Sequence, residues 1–277
     1  INVSPLKSDL INEVSGEWIA ARPNTDTALM LGLAHTIYSE GLSDTNFLKK
    51  YTEGFEIFLP YLLGKNDGVE KSAEWASAIC NISASKIKEI AIKISKKRSM
   101  ISISWSLTRQ DHGEQPFWMA IMLASMIGQI GLPGGGFGFG YSATNFIGGQ
   151  FKVLPGAAFP QTENKIENFI PVARISDLLL HPGKKFDFNG KSYVYPDTKI
   201  VYWAGGNPFH HHQDLNRLIK AWEKPDTIIS NEWCWNTLAK RSDIVLPCTT
   251  PLERTDIMMT PRDPFVVSMD KIIEPYG

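Results

Sequence analysis

Three adjacent histidines, His210, His211 and His212, stand in the stretch "GGNPFHHHQDLNRL" (residues 205–218). Imidazoles donate hydrogen bonds, move protons or ligate metals. Zinc ligation needs side chains that converge on one point, which adjacent residues seldom do, and no cysteine lies at metal-ligand spacing. The surrounding residues suit a different chemistry. Gly205 and Gly206 let the backbone turn tightly or approach a ligand, and Pro208 stiffens the exit. A helix following this turn would offer free N–H groups and the positive end of its dipole, which attract phosphate. His and Gln213 side chains add donors. A ligand cradle, a structural turn and a metal site are the three readings, and the residues by themselves favour the first.

Further polar turns punctuate the chain. Glu232 closes "TIISNE" (227–232), where a strand-end acid accepts from ribose hydroxyls or base N–H groups, or else caps a helix. "SWSLTRQDHGEQPFWM" (104–119) carries Trp105, Arg109, His112, Glu114 and Gln115 between a strand and a helix. Arg109 is either a bidentate clamp for phosphate or carboxylate, or a surface ion pair. In "RPNTD" (22–26), Thr25 or Asp26 is positioned to cap the next helix. "GLPGGGFGFG" follows a helix rather than a strand, so it reads as a structural loop and not a phosphate loop. No Ser-His-Asp spacing, Walker loop or strand-borne GxGxxG is present.

The elements that must position these residues alternate. Helical periodicity runs over 26–40, 83–97, 172–180 and from Pro116 to near Gly128, and a helix after the histidines reaches Trp222. A short helix covers "NTLAKRS" (236–242). Strands are predicted at 99–106, 199–206, 227–232 and 243–247. This order implies an α/β chain with a doubly wound, mostly parallel sheet of Rossmann-like, three-layer α/β/α type. Such sheets bind ligands at the carboxyl ends of their strands. The expected organisation is a first α/β part over about 1–140, a Gly/Pro-rich loop over 141–165 and a second α/β part over 166–277. The whole aperiodic stretch from Gly131 to Gln161 is expected to be loop.

Composition bounds the function. Of 277 residues, 43% are hydrophobic and 21% charged, ordinary values for a folded protein, and the net charge of -1 argues against a nucleic-acid partner. The basic run "KISKKR" (93–98) reads as the solvated end of a helix. Cys80, Cys234 and Cys248 are too few and scattered for a disulfide framework or an iron–sulfur cluster, and are expected to be reduced or buried. The longest apolar run, from Phe117 to Leu132, is interrupted by Gly128 and too short for a membrane span. With no initial Met and no signal peptide, the chain is expected to be a fragment whose compartment, periplasmic or cytoplasmic, the sequence leaves open.

Taken in order, "RPNTDTALMLGLAHT", "WSLTRQDHGEQPFWM", "GQIGLPGGGFGFG", "GGNPFHHHQDLNRL" and "SDIVLPCTTPLERTDI" resemble molybdopterin oxidoreductases of the dimethyl sulfoxide reductase family, in its trimethylamine-N-oxide and biotin sulfoxide reductase branch. The resemblance covers nearly the whole chain. It implies a molybdenum bis(molybdopterin guanine dinucleotide) cofactor and reduction of small S-oxides or N-oxides in anaerobic respiration, with a cytochrome or another electron donor. Under it, Asp26, with Asn24 and Thr25 nearby, would hold one guanine. Trp105 and Arg109 would face the pterin and metal, with His112 in the same motif. Asn207, His211, His212 and Gln213 would meet pterin and pyrophosphate, and Ser230 and Glu232 the second guanine. Thr108 and Cys234 depart from the family's usual residues, which bears on substrate preference. The resemblance also places the molybdenum-ligating serine before Ile1, so no metal ligand is expected here. The chain by itself is then expected to lack cofactor and activity, and to depend on the remaining domains of its polypeptide. A non-catalytic cofactor-binding or degenerate module of the same fold, and tungsten in place of molybdenum, are the alternatives.

Overall fold

A computed structural model describes residues 1–11, 13, 15–140, 160, 162, 163, 165, 166, 169–259 and 265–276. The chain divides into two compact units, Ile1–Lys152 and Val153–Gly277.

The first unit is built around α1 (Asp26–Ser39), which is buried on nearly all sides. Its sequence is correspondingly apolar all round rather than striped, as expected of a central helix. Packed on it are α4 (Ala73–Cys80), α5 (Ala84–Lys96) and α6 (Gln115–Met126). Gly32 permits the closest approach, because a Cβ there would lie 2.6 Å from the Ala76 Cβ. Ser72 and Ser83 start α4 and α5 by accepting from Trp75 N and Lys86 N, a role serine fills through its short acceptor side chain. In α5, the spacing of Ile87, Ile90 and Ala91 puts all three in the core, while the last-turn Lys93 and Lys96 face the negative dipole end. Two short helices, α2 (Thr45–Tyr51) and α3 (Phe55–Leu62), complete the helical part. Burying Ile37, Leu62, Ile87 and Leu123 contributes roughly 1.5–3 kcal/mol per side chain.

Two parallel strand pairs belong to this unit: β1 (Asn2–Val3) with β2 (Trp18–Ile19), and β3 (Met100–Ile103) with β4 (Gly136–Phe139). β4 corrects the expectation of an uninterrupted loop from Gly131. "GFGF" has little strand propensity of its own, and it becomes a strand because β3 supplies a ladder of backbone partners. The expected loop over 141–165 falls almost wholly outside the described residues.

In the second unit, a 3-10 turn (Val172–Arg174) leads into α7 (Ile175–Leu180). A hairpin follows, β5 (Lys185–Phe188) with β6 (Lys191–Val194), turning through Asn189 and Gly190 at φ 48° and 73°. Two positive φ values are what the tightest hairpin turn demands, and Asn-Gly tolerates them best. Then come β7 (Ile200–Ala204), α8 (Pro208–His211), α9 (Leu215–Trp222), β8 (Thr227–Glu232) and β9 (Ile244–Pro247). β7, β8 and β9 form a three-stranded parallel sheet in that order. An antiparallel pair, β10 (Asp256–Met259) with β11 (Val266–Met269), ends the described chain. The core joins Leu179, Phe209, Leu218, Trp222, Ile228 and Leu238, so α7, α8 and α9 pack on one face of the parallel sheet.

The protein is therefore mixed α/β with small parallel sheets. Instead of one continuous sheet, the described residues form five small ones, two of them antiparallel hairpins. The expected short helix at 236–242 is a single 3-10 turn, Ala239–Arg241.

Candidate functional site

Each unit gathers its candidate residues where strands end and helices begin. In the first unit, the chain leaves β3 through Ser104, whose hydroxyl accepts from Ser106 N at 3.3 Å, and winds into a 3-10 turn, Trp105–Arg109. Trp105 packs against Phe139 of β4 with ring centroids 5.3 Å apart, which fixes its indole at the rim of the strand pair. The segment folds back over this turn at Gly113. A Cβ there would lie 2.7 Å from the carbonyl oxygens of Leu107 and Thr108, so only glycine fits without displacement. His112 precedes it at φ 51°, an uncommon conformation for a non-glycine residue. Its ring lies 4.0 Å from the Asp111 carboxylate and 3.8 Å from that of Glu114. The Glu114 carboxyl is held below its ordinary range, chiefly by its own backbone N–H and then by the Gln115 amide. Arg109 is exposed and forms no ion pair among the described residues.

Asp26 opens α1 beside these residues. It lines a cleft of about 870 Å³ with Leu29, Met30, Ser104, Ser106 and Leu107. Burial raises its carboxyl above the ordinary value, while its own backbone N–H and a hydrogen bond from the Gln110 side chain pull the other way. Neither Thr25 nor Asp26 caps α1 as the sequence suggests. Thr25 accepts no capping hydrogen bond; its Oγ1 instead donates back to Arg22 O at 2.5 Å beside the left-handed Asn24 (φ 60°), and the Asp26 carboxylate meets only its own backbone N–H in this turn.

In the second unit, Gly205 and Gly206 leave β7 in left-handed conformations, at φ 78° and 70°. Asn207 is buried; its Oδ1 accepts from Phe209 N at 3.0 Å, and its Nδ2 has no partner. The histidines lie on α8 and just after it, and the expected helix to Trp222 follows as α9. A four-residue helix has little dipole, and Asn207 already occupies one of its N–H groups. The longer α9 is capped by Asp214, whose carboxylate accepts from Arg217 N. Each cap occupies one N–H group, that of Phe209 on α8 and that of Arg217 on α9. What remains are imidazole and amide donors: His210, His211 and Gln213 exposed, His212 half-buried. Burial, then the neighbouring His211, pushes the His212 imidazole below its ordinary value. Among the described residues, no group of three or more His, Cys, Asp or Glu side chains is arranged to hold a metal ion.

β8 supplies the rest. Ile228, Ser230 and Glu232 alternate into the buried face. Ser230 is wholly buried and its Oγ has no partner; Trp222 Nε1 on the same face and Asn231 Oδ1 on the other are also unpartnered. Glu232 is buried without an ion pair among the described residues, and no helix begins there for it to cap. The register sets Trp203 beside Ser230 and Ala204 beside Asn231, so Ser230, Asn231 and Glu232 lie at the same end of the sheet from which the chain leaves β7 toward Asn207. Unsatisfied buried groups are costly, and several at one strand edge fit a ligand that completes their hydrogen bonds. Sequence reasoning missed Gln110 and Asn231, whose partners and burial only the fold defines. Of the three cysteines, Cys80 is buried, but Cys234 and Cys248 are exposed, because they follow the strand ends.

Residues 6–277 match the molybdopterin oxidoreductase family. The chain is 51% identical to a biotin sulfoxide reductase of Cereibacter sphaeroides over its whole length, covering 37% of that protein. It is 50% identical to a trimethylamine-N-oxide reductase of Haemophilus influenzae, with 94% of this chain and 33% of that protein aligned. The chain thus spans about a third of the length of these relatives. Among solved structures, the acetylene hydratase of Pelobacter acetylenicus has a similar fold, with a TM-score of 0.54 at 16% identity over 96% of this chain and 39% of that one.

Proposed function

Because the chain belongs to the molybdopterin oxidoreductase family, we propose that it is the central cofactor-holding portion of a reductase acting on small S-oxides or N-oxides. The observation that carries this reading is the set of buried, unpartnered polar atoms near the carboxyl ends of β7 and β8, Asn207 Nδ2 and Ser230 Oγ, with the buried Glu232 carboxylate on the same face of β8 as Ser230. A donor-rich heterocycle such as guanine matches an acceptor carboxylate flanked by an amide and a hydroxyl. The cofactor fitting both units is a molybdopterin guanine dinucleotide pair, one guanine toward Asp26 and one toward Glu232. When bound, such a group supplies two-electron oxygen-atom chemistry.

The residues of this chain then bind and orient. Asp26, in its half-buried cleft, accepts from the base of one nucleotide, with Asn24 and Thr25 shaping the turn and Gln110 steadying the carboxyl. Trp105, braced by Phe139, presents a flat apolar wall, and Arg109, which has no ion pair among the described residues, offers a five-donor fork to an anionic group. His112 adds a donor in that segment. Asn207, His211, His212 and Gln213 give donors to pyrophosphate or pterin heteroatoms. These roles follow the strand-end rule for ligands in parallel α/β sheets. The same rule underlies our reading of the small parallel sheets as parts of a doubly wound, three-layer arrangement. Substrate, electron donor and remaining domains belong to the complete protein.

The test is Glu232→Ala in the complete protein. Losing a charge-assisted hydrogen bond to the base costs about 1.5–3 kcal/mol, so cofactor content falls while the ratio of kcat/KM between an S-oxide and an N-oxide stays the same. Full cofactor occupancy with an altered substrate ratio would refute the assignment.

A further inference from the structure

The strand pair β3 and β4 leaves its own register weakly specified. β4 is Gly136, Phe137, Gly138 and Phe139, and a glycine-rich strand pairs loosely because every second position brings no side chain to hold it in place. The register matters at the far end of the pair. It sets Ile103 beside Phe139, whose ring packs on Trp105 at 5.3 Å and, edge-on, against Phe117 of α6 at 5.2 Å. A slip of one residue would put glycine where that ring stands.

At the near end, Gln129 supplies what the strand lacks. Its side chain is buried, and both ends of its amide bind backbone: Oε1 accepts from Ser99 N at 2.7 Å, and Nε2 donates to Lys97 O at 2.8 Å. Ser99 O in turn accepts from Gly136 N at 3.0 Å, so the residue that Gln129 fixes also receives the start of β4. The glycines fold the chain closely around this side chain. A Cβ on Gly135 would lie 3.1 Å from Gln129 Oε1, and one on Gly136 would lie 2.9 Å from Ile130 Cα. We propose that Gln129 is a positioning residue, whose amide pins β4 to β3 where the pair begins and thereby fixes Phe139 against Trp105 where it ends. The consequence for turnover rests on the reading of Trp105 as a wall of the cofactor site.

The experiment uses the complete protein labelled with 5-fluorotryptophan, its Trp105 fluorine resonance identified by its loss in Trp105→Phe. Gln129→Met keeps the side-chain length and removes both hydrogen bonds. It is compared with a core truncation, Ile87→Val or Ile87→Ala, chosen to match its fall in Tm. We expect Gln129→Met to shift the Trp105 resonance in cofactor-free protein and to lower kcat of loaded protein by about ten- to a hundredfold, with KM changed by less than about twofold. The Ile87 variant should do neither. Phe139→Leu should shift the same resonance, and adding Gln129→Met to it should cost no further turnover, because both act through one contact. An unmoved resonance in Gln129→Met, an equal shift in the matched Ile87 variant, or additive losses in the double variant overturns the inference. If Gln129→Met does not fold, Gln129→Glu, which keeps the acceptor for Ser99 N–H and sets a carboxylate against Lys97 O, replaces it under the same criteria. A shifted resonance with unchanged kcat upholds the register role and removes Trp105 from the cofactor site, so failure of the functional reading is distinguishable from failure of this one.

Discussion

Ser230→Ala separates a cofactor contact from a structural one, because the serine is fully buried and its hydroxyl has no partner in the protein. A buried, unpaired hydroxyl costs about 1–3 kcal/mol. Alanine keeps the backbone ladder to Trp203 and Val245 and leaves a void of only one oxygen. The cofactor-free protein should therefore be stabilised, by about 1 kcal/mol, which raises Tm by roughly 2–4 °C for a chain of this size. In the loaded protein the hydroxyl is satisfied by the ligand, and its removal costs about 1 kcal/mol. The two effects add in the binding equilibrium, so cofactor affinity drops by about 2 kcal/mol, or roughly 30-fold. Scanning calorimetry of the complete protein, made in hosts able and unable to synthesise the pterin dinucleotide, measures both forms. A fall of several degrees in the cofactor-free form would mean that the hydroxyl is satisfied by the protein. Equal shifts in both forms would mean that Ser230 never meets the ligand.

Other outcomes follow from the geometry. Gly113→Ala forces a methyl against the Leu107 and Thr108 carbonyls, and should cost about 1–3 kcal/mol and lower turnover by displacing Trp105 and Arg109; thermal melts and kcat together check this. Burial raises the Asp26 pKa above its ordinary 3.8, so the protonated form is favoured by folding: stability is greatest below 3.8 and is lost as pH rises through the folded value. Asp26→Asn should abolish that decline in urea melts of cofactor-free protein between about pH 3 and 7. For His212 the sign is opposite. Its lowered pKa gives stability that is present above 6.5 and lost as pH falls, and His212→Gln should remove the loss. Zinc calorimetry should show no binding attributable to the histidines, and binding that disappears in a His210/His211/His212 triple-alanine variant would reverse that reading.

Local order was legible in the amino-acid sequence because it depends on neighbours three or four residues apart. Ser83 followed by Ile87, Ile90 and Ala91 specifies both the start and the buried face of α5. Runs such as "KIVYWA" and "TIISNE" specify β7 and β8, and with them the strand ends where Glu232 and the Gly205–Gly206 turn lie. The Asn189-Gly190 turn carried an equally local signal, because an Asn-Gly pair suits the positive φ values of a tight hairpin. Other features belong to the tertiary structure, because they join residues far apart in the chain. "GFGF" is a strand only where β3 offers it partners. Asp26 meets Gln110 only after α1 and the turn beyond β3 have packed. That Asn207 and Asp214 each take one N–H group, at the starts of α8 and α9, is likewise set by the folded turn between β7 and α9. Which polar atoms of Asn207, Ser230 and Asn231 are left unpaired depends on what covers each face of the sheet, and side-chain alternation along a strand sets the two faces apart without saying what covers either.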